Sequence, residues 1–282
     1  MLKQRIVLFL IFLALLTTLA YLVFPVNGAG MLPSFLIMWS PGLAALFAAL
    51  LSRYPFKEFG WHFSFKWIAV GWLIPVIYAA AAYGTIWIIG WGEVPNPVFL
   101  ERARMTLGIE GGSNARVIIL AFFYISVAGL FPSMLFSLGE ELGWRGFLVP
   151  VLNARYGLLR AGLISSVIWA VWHLPGIISG DYGDASTPIS YRLLCFFITV
   201  LSSGMILAWL RMRSSGIWPA VVFHATHNGV IQMFFDRITL PNSHTDFFSG
   251  EFGIALAFTT LAMALFLFRR PLKNLETKST SL

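Results

Sequence analysis

The chain has 282 residues, of which 58% are hydrophobic and only 11% are charged. Together with a mean hydropathy of +0.80, this composition is typical of membrane proteins with several spans and excludes an ordinary soluble domain. The net charge of +7 does not indicate a nucleic-acid partner, because the Lys and Arg residues are scattered and form no basic stripe. The single cysteine, Cys195, excludes both an internal disulfide and a cysteine metal cluster.

Apolar runs predict one membrane domain over residues 1–282, an all-α polytopic bundle of about eight transmembrane helices. The predicted spans are about 5–25, 33–52, 67–91, 116–139, 160–178, 191–211, 217–235 and 252–268. The first run is longer than a signal-peptide core of about 7 to 15 residues, so we expect it to be retained despite a weak cleavage-like site at 26–30. The bilayer is therefore the first predicted partner.

Basic residues predict how this bundle lies in the membrane. They recur on one side, as Lys3, Arg5, Arg53, Lys57, Lys66, Arg145, Arg155, Arg160, Arg211, Arg213, Arg269, Arg270, Lys273 and Lys278. The opposite loops carry mainly acids, among them Glu93, Glu101, Glu110, Asp181, Asp184, Asp236, Asp246 and Glu251. The positive-inside rule then predicts that both termini are cytoplasmic. We expect a multi-pass integral protein of the cell (plasma) membrane. The loop at about 92–115 is expected to be mobile or amphipathic, and the tail at 273–282 to be disordered.

Two adjacent carboxylates, Glu140 and Glu141, occur in the stretch SLGEELGWRG. Ionisable groups at membrane depth cost roughly 2.5 to 3.5 kcal/mol each, so they are kept where they face protein or a wet cavity. On a helix Glu141 and Arg145 can pair on one face, which leaves Glu140 free to act as a general base. Glycines four apart permit another helix to come close. The alternative is an ordinary interfacial charge cluster at a helix end.

Three histidines lie in the apolar segments downstream. His173 falls inside the fifth predicted span. His224 and Asn228 are four apart and share a face of the seventh span, with His227 on its flank. A His and an Asn that donate to a developing oxyanion would complement a glutamate that activates water, which is the minimal set for peptide hydrolysis. Each histidine alone could instead be an interhelical hydrogen-bonding group.

Three motifs resemble those of the CAAX protease and bacteriocin-processing (CPBP, or Abi) family of intramembrane glutamate proteases. They are E-E-x-x-x-R at 140–145, aromatic-x-x-x-H at 169–173 and H-x-x-x-N at 224–228. The resemblance covers about residues 116–235, which would form the catalytic core. This chain has Trp169 where Phe is commoner in the family.

The resemblance implies an intramembrane endopeptidase that works near the cytoplasmic membrane face, with no cofactor and no metal. Glu140 would be the general base, His173 would help hold the water, and His224 with Asn228 would form the oxyanion site. Structural support would come from Glu141 and Arg145, with His227 and Trp169 as further supporting groups. The substrate would be a peptide or a lipidated protein, as in CAAX-type C-terminal processing or bacteriocin maturation.

Other functions remain open at this point. Three histidines and a glutamate could complete a zinc site, although the sequence lacks the H-E-x-x-H helix of a zincin. A proton-coupled transporter also keeps carboxylates and histidines in apolar helices, but we find no inverted repeat. A non-catalytic bacteriocin-immunity or scaffold protein could use the same fold to bind a partner.

The predicted spans place the key residues at different depths. Glu140 falls at the cytoplasmic end of the fourth span, whereas His173 is about 13 residues, or roughly 20 Å, from that end of the fifth. We therefore predict that the fourth helix runs past Glu141 toward Pro150, or is kinked at Pro132, and that the cavity opens to the cytoplasm.

Overall fold

The computed structural model describes residues 2–23, 31–183 and 186–269, and within these ranges it is helical and contains no β-strand. The helices are α1 (Leu2–Val23), α2 (Met31–Leu51), α3 (Phe65–Ile88), α4 (Pro97–Leu107), α5 (Asn114–Phe123), α6 (Leu130–Glu141), α7 (Val149–Ser179), α8 (Ile189–Ser214), α9 (Trp218–Asn228), α10 (Asp236–Ile238), α11 (Thr245–Phe248) and α12 (Ile254–Phe268). Three π-helical segments, Tyr124–Ala128, Leu142–Leu148 and Gly229–Phe235, follow α5, α6 and α9. The cleavage-like stretch at 26–30, Asp184 and the tail at 273–282 lie outside the described residues.

Five helical stretches within the described ranges are long and apolar enough to cross a membrane. They are Leu2–Val23, Leu32–Leu51, Phe65–Ile88, Leu130–Ser179 and Ile189–Ser214, and Asn114–Ala128 and Ile254–Phe268 are shorter apolar helices. The predicted seventh span, 217–235, corresponds to α9 and the π segment after it. The prediction of an all-α, multi-pass integral membrane protein is confirmed.

The helix that carries Glu140 continues well past the end predicted for the fourth span. The π segment Leu142–Leu148 joins α6 to α7 without a break, and the chain reverses at Gly157, whose φ of +74° favours glycine. Glu140 precedes Gly157 by 17 residues and His173 follows it by 16. The two side chains therefore reach similar heights on antiparallel arms, and the prediction of a longer fourth helix is confirmed.

Glycines bring α2 directly against the carboxylate helix. A Cβ on Gly143 would lie 2.5 Å from the Cβ of Pro41, and one on Gly139 would lie 2.7 Å from Cγ of Trp39. The indole of Trp39 also donates to the carbonyl oxygen of Leu135 over 2.9 Å. The predicted close helix approach is present, and the approaching helix is α2, which contains none of the three motifs.

The predicted loop at 92–115 contains the short helix α4. Its N-cap is Asn96, whose side chain accepts from the backbone N–H of Val98, and it ends at Gly108, which has a φ of +65°. Phe99 and Leu100 are buried, while Val98 is exposed. The segment is therefore an ordered amphipathic helix at the same end of the bundle as the loops after α7 and α10.

Candidate active site

Side chains from α6, α7 and α9 meet in one cavity of about 340 Å³. The predicted site residues that line it are Glu140, Trp169, His173, His224, His227 and Asn228. Such a volume lies at the lower end of the range of about 300 to 1,000 Å³ that is usual for ligand pockets. The side chains predicted for the catalytic set are thus brought together, from sequence positions up to 88 residues apart.

Two tryptophans orient the carboxylate of Glu140, which is only 2% exposed. Its Oε2 accepts a hydrogen bond of 2.6 Å from the indole of Trp169 and one of 3.3 Å from the indole of Trp144. A phenylalanine at position 169 would have no N–H to donate. Trp144 was missed in the sequence analysis, although it is four residues after Glu140, the same spacing that identifies the Glu141–Arg145 pair.

Glu141 is fully buried and accepts two hydrogen bonds at its Oε1. Arg145 donates from Nη1 over 2.9 Å, which is the ion pair that the spacing predicts. Nδ1 of His224 lies 2.9 Å from the same oxygen, a contact that the sequence analysis did not predict. The guanidinium of Arg145 also packs over the ring of Trp169 at 4.4 Å from its centroid. Arg145 therefore contacts Trp169, which hydrogen-bonds to Glu140, while Glu141 hydrogen-bonds to His224 of α9.

The hydrogen-bond partners of the two histidines fix which nitrogen faces the cavity. Nδ1 of His173 lies 2.8 Å from the carbonyl oxygen of Trp169, and a carbonyl can only accept, so Nδ1 carries the proton. The carboxylate of Glu141 imposes the same state on Nδ1 of His224. In both rings Nε2 is left for a ligand in the cavity. On His173 it can accept from water, and on a protonated His224 it can donate to an oxyanion.

His227 is engaged differently from the other two histidines. Its Nε2 lies 3.0 Å from Oε1 of Glu251, and its Nδ1 is hydrogen-bonded to the hydroxyl of Tyr78. Both nitrogens are used by protein groups, which fits a supporting role and not direct contact with substrate. The sequence analysis missed Glu251 as part of the cavity. An acid directly before an apolar span is the only signal that the sequence gives for it.

The cavity lies toward the end of the bundle that carries the acidic loops. Its lining includes Tyr21 near the end of α1, Ser34 near the start of α2, and Asp181 and Glu251 in loops. The basic residue Arg155 lies near the opposite, N-terminal end of α7, two residues before Gly157. The two sequence predictions therefore disagree: if the basic loops are cytoplasmic, this cavity faces the opposite side and does not open to the cytoplasm.

A metal ion would need several donor side chains close together. Across residues 2–23, 31–183 and 186–269, no three His, Cys, Asp or Glu side chains are placed to hold one ion. His173 and His224 each use Nδ1 on a protein acceptor, so each could offer only Nε2 to a metal.

The central part of this chain is similar to a known protein family. Residues 114–230 match the Rce1-like family of type II CAAX prenyl endopeptidases. The matched segment contains all three motifs, from Glu140 to Asn228, so the predicted resemblance is confirmed over this part of the chain. A similar protein is CAAX prenyl protease 2 of Methanococcus maripaludis, which is 35% identical over 99 residues. That alignment covers 34% of this chain and 36% of the archaeal protein, about a third of its length.

Removal of the Arg145 guanidinium tests the buried ion pair. Breaking a buried pair costs about 3 to 5 kcal/mol, because one charge is left without compensation. We expect Arg145→Ala to lower the melting temperature in detergent strongly or to reduce the folded yield. Arg155→Ala is the matched control, because Arg155 is exposed, and it should melt like the unmodified protein. Equal melting temperatures for the two variants would contradict this account of the pair.

Proposed function

We propose that this protein is a membrane-embedded endopeptidase that hydrolyses a peptide bond with water activated by Glu140. One observation carries the proposal: Glu140, His173, His224 and Asn228 line one cavity, in a segment that matches a peptidase family. CAAX-type processing of a lipidated C-terminus is the leading substrate class, since the archaeal relative is a CAAX prenyl protease.

The chemistry follows from the atoms that face the cavity. Glu140 removes a proton from a water molecule that also donates to Nε2 of His173, and the hydroxide oxygen forms a bond to the carbonyl carbon. The displaced electron pair moves to the carbonyl oxygen. Nε2–H of a protonated His224 and the amide of Asn228 donate to this oxyanion. The oxyanion pair then re-forms the C=O bond as the C–N bond breaks, and Glu140 returns the proton to the leaving amine, which regenerates the carboxylate of Glu140.

Glu140→Gln tests the general base with little change of shape. The variant should fold, and its cleavage rate should fall by about 10² to 10⁴, the usual contribution of a general base. The assay uses detergent-purified protein with farnesylated and unprenylated C-terminal peptides, with and without a chelator. Glu101→Gln is the matched control, because Glu101 is exposed on α4.

Three outcomes of this assay would each lead to a different conclusion. Equal cleavage by Glu140→Gln and the unmodified protein would end the proposal for Glu140. Activity that is lost with the chelator and restored by zinc would establish the zinc alternative. If neither peptide is cleaved and Glu140→Gln leaves the cellular phenotype intact, a non-catalytic immunity or scaffold role replaces the protease.

The side on which the cavity opens can be tested by labelling with a membrane-impermeant maleimide in intact cells. The natural cysteine, Cys195, is buried, so the background should be low. The positive-inside rule predicts that Asp181→Cys is labelled from outside, whereas Arg155→Cys is labelled only after permeabilisation. Both positions are exposed in the structure. The reverse pattern would contradict the predicted orientation and place the cavity mouth on the cytoplasmic side.

A further inference from the structure

A second buried carboxylate, Glu251, lies in the wall of the cavity and is 6% exposed. Its Oε1 accepts from Nε2 of His227 over 3.0 Å and from Nε2 of Gln232 over 3.1 Å. Its Oε2 accepts from the hydroxyl of Tyr182. We call Glu251, His227, Gln232, Tyr182 and Tyr78, which hydrogen-bonds to His227, the Glu251 clasp.

The contacts of Glu251 distinguish it from a second catalytic base. Both of its oxygens are occupied by donors on the protein, whereas the base proposed above keeps one oxygen for water. Glu251 lies in the loop before α12. Burial by itself would raise the pKa of this carboxyl, but the hydrogen bonds from His227, Tyr182 and Gln232 lower the pKa to about 2. A carboxylate of that pKa is a poor proton acceptor at neutral pH.

The Glu251 clasp contacts the candidate active site on two sides, next to His173 and next to the His224–Asn228 turn. On one side, the ring of Tyr182 lies 5.6 Å from the ring of His173, and both pack against Phe196. On the other side, His227 directly precedes Asn228 and follows His224 by three residues on α9. Glu251 therefore connects Tyr182, which packs against His173, to the turn of α9 that carries the proposed oxyanion donors.

The backbone of this region explains why such a connection is needed. Directly after Asn228 the chain enters the π segment Gly229–Phe235, which holds Gln232. A π segment departs from the regular α-helical ladder and is frequent at functional sites. Hydrogen bonds from outside the helix can then decide the position of its side chains. Glu251 accepts one such bond from Gln232 of the π segment and another from His227 in the last turn of α9.

We propose that Glu251 is a positioning residue, which holds His173 and the His224–Asn228 turn in the relative placement that hydrolysis requires. The inference rests on the proposed protease function. It predicts that shape and hydrogen bonding at position 251 are important and that the negative charge is not. Glutamine can preserve the arrangement, because its oxygen accepts from His227 and Gln232 while its amide donates to the hydroxyl of Tyr182.

The test compares Glu251→Ala with Glu251→Gln, and with Asp246→Ala as a control at an exposed acid of the same region. For Glu251→Ala we expect kcat to fall about 10²-fold with a much smaller change in KM, which is the cost of misplacing catalytic groups by about 1 Å. Glu251→Gln should retain most of kcat and the pH profile of the unmodified protein. Asp246→Ala should be unaffected.

Hydrogen exchange gives a second measurement, which does not depend on activity. Glu251→Ala should speed amide exchange in segments 173–183 and 224–235, and Glu251→Gln should not. An unchanged kcat in Glu251→Ala, unchanged exchange in both segments, or an equal loss of kcat in the Gln variant would overturn the inference. If the unmodified protein cleaves no peptide, the proposed function fails, and the exchange comparison alone decides the positioning role.

Discussion

Glu141 carries a charge that is buried in an apolar helical bundle, so the surrounding helices have to supply hydrogen-bond donors to it. A buried charge without a partner is several kcal/mol unfavourable, so the carboxylate requires donors at its own height. Arg145 supplies one from the same helix, and His224 supplies one from α9. Since His224 is held in this way, its second nitrogen is directed to the cavity. The interaction that stabilises the carboxylate also prepares a group of the candidate active site.

The adjacent Glu140 is compensated differently, and this difference separates the two roles. Its partners are neutral indoles, which leave the carboxylate without a cation against it. The guanidinium of Arg145 contacts the face of Trp169, whose N–H donates to Glu140, so the two carboxylates are linked through one aromatic ring. A strong ion pair at Glu140 would have reduced its capacity to take a proton. The ion pair is made instead by Glu141, which takes no part in the proposed chemistry.

Composition and local spacing predicted the all-α membrane fold and the Glu141–Arg145 pair, because these depend on hydropathy and on contacts within one helix. The bounds of the eight predicted spans were less accurate: the fourth was predicted to end at residue 139, whereas the helix continues past it. The depth of Glu140 was harder to predict, since glycines and Arg145 resemble a helix end, whereas the chain continues through a π segment. The contacts of Glu251 were not predictable, because its partners His227 and Tyr182 are 24 and 69 residues away and share no periodic pattern with it. The cavity is therefore lined also by residues that lie outside the three motifs. Helices before residue 116 and the loop before α12 complete its wall.

In the proposed mechanism, Glu140 activates water and does not itself attack the substrate. A single-turnover cleavage in ¹⁸O-enriched water, followed by mass spectrometry of the product and of the peptide that contains Glu140, tests it most directly. We predict that one ¹⁸O atom enters the new C-terminal carboxylate of the product and that none enters Glu140. Label in Glu140 with none in the product would show a covalent acyl intermediate and contradict the account.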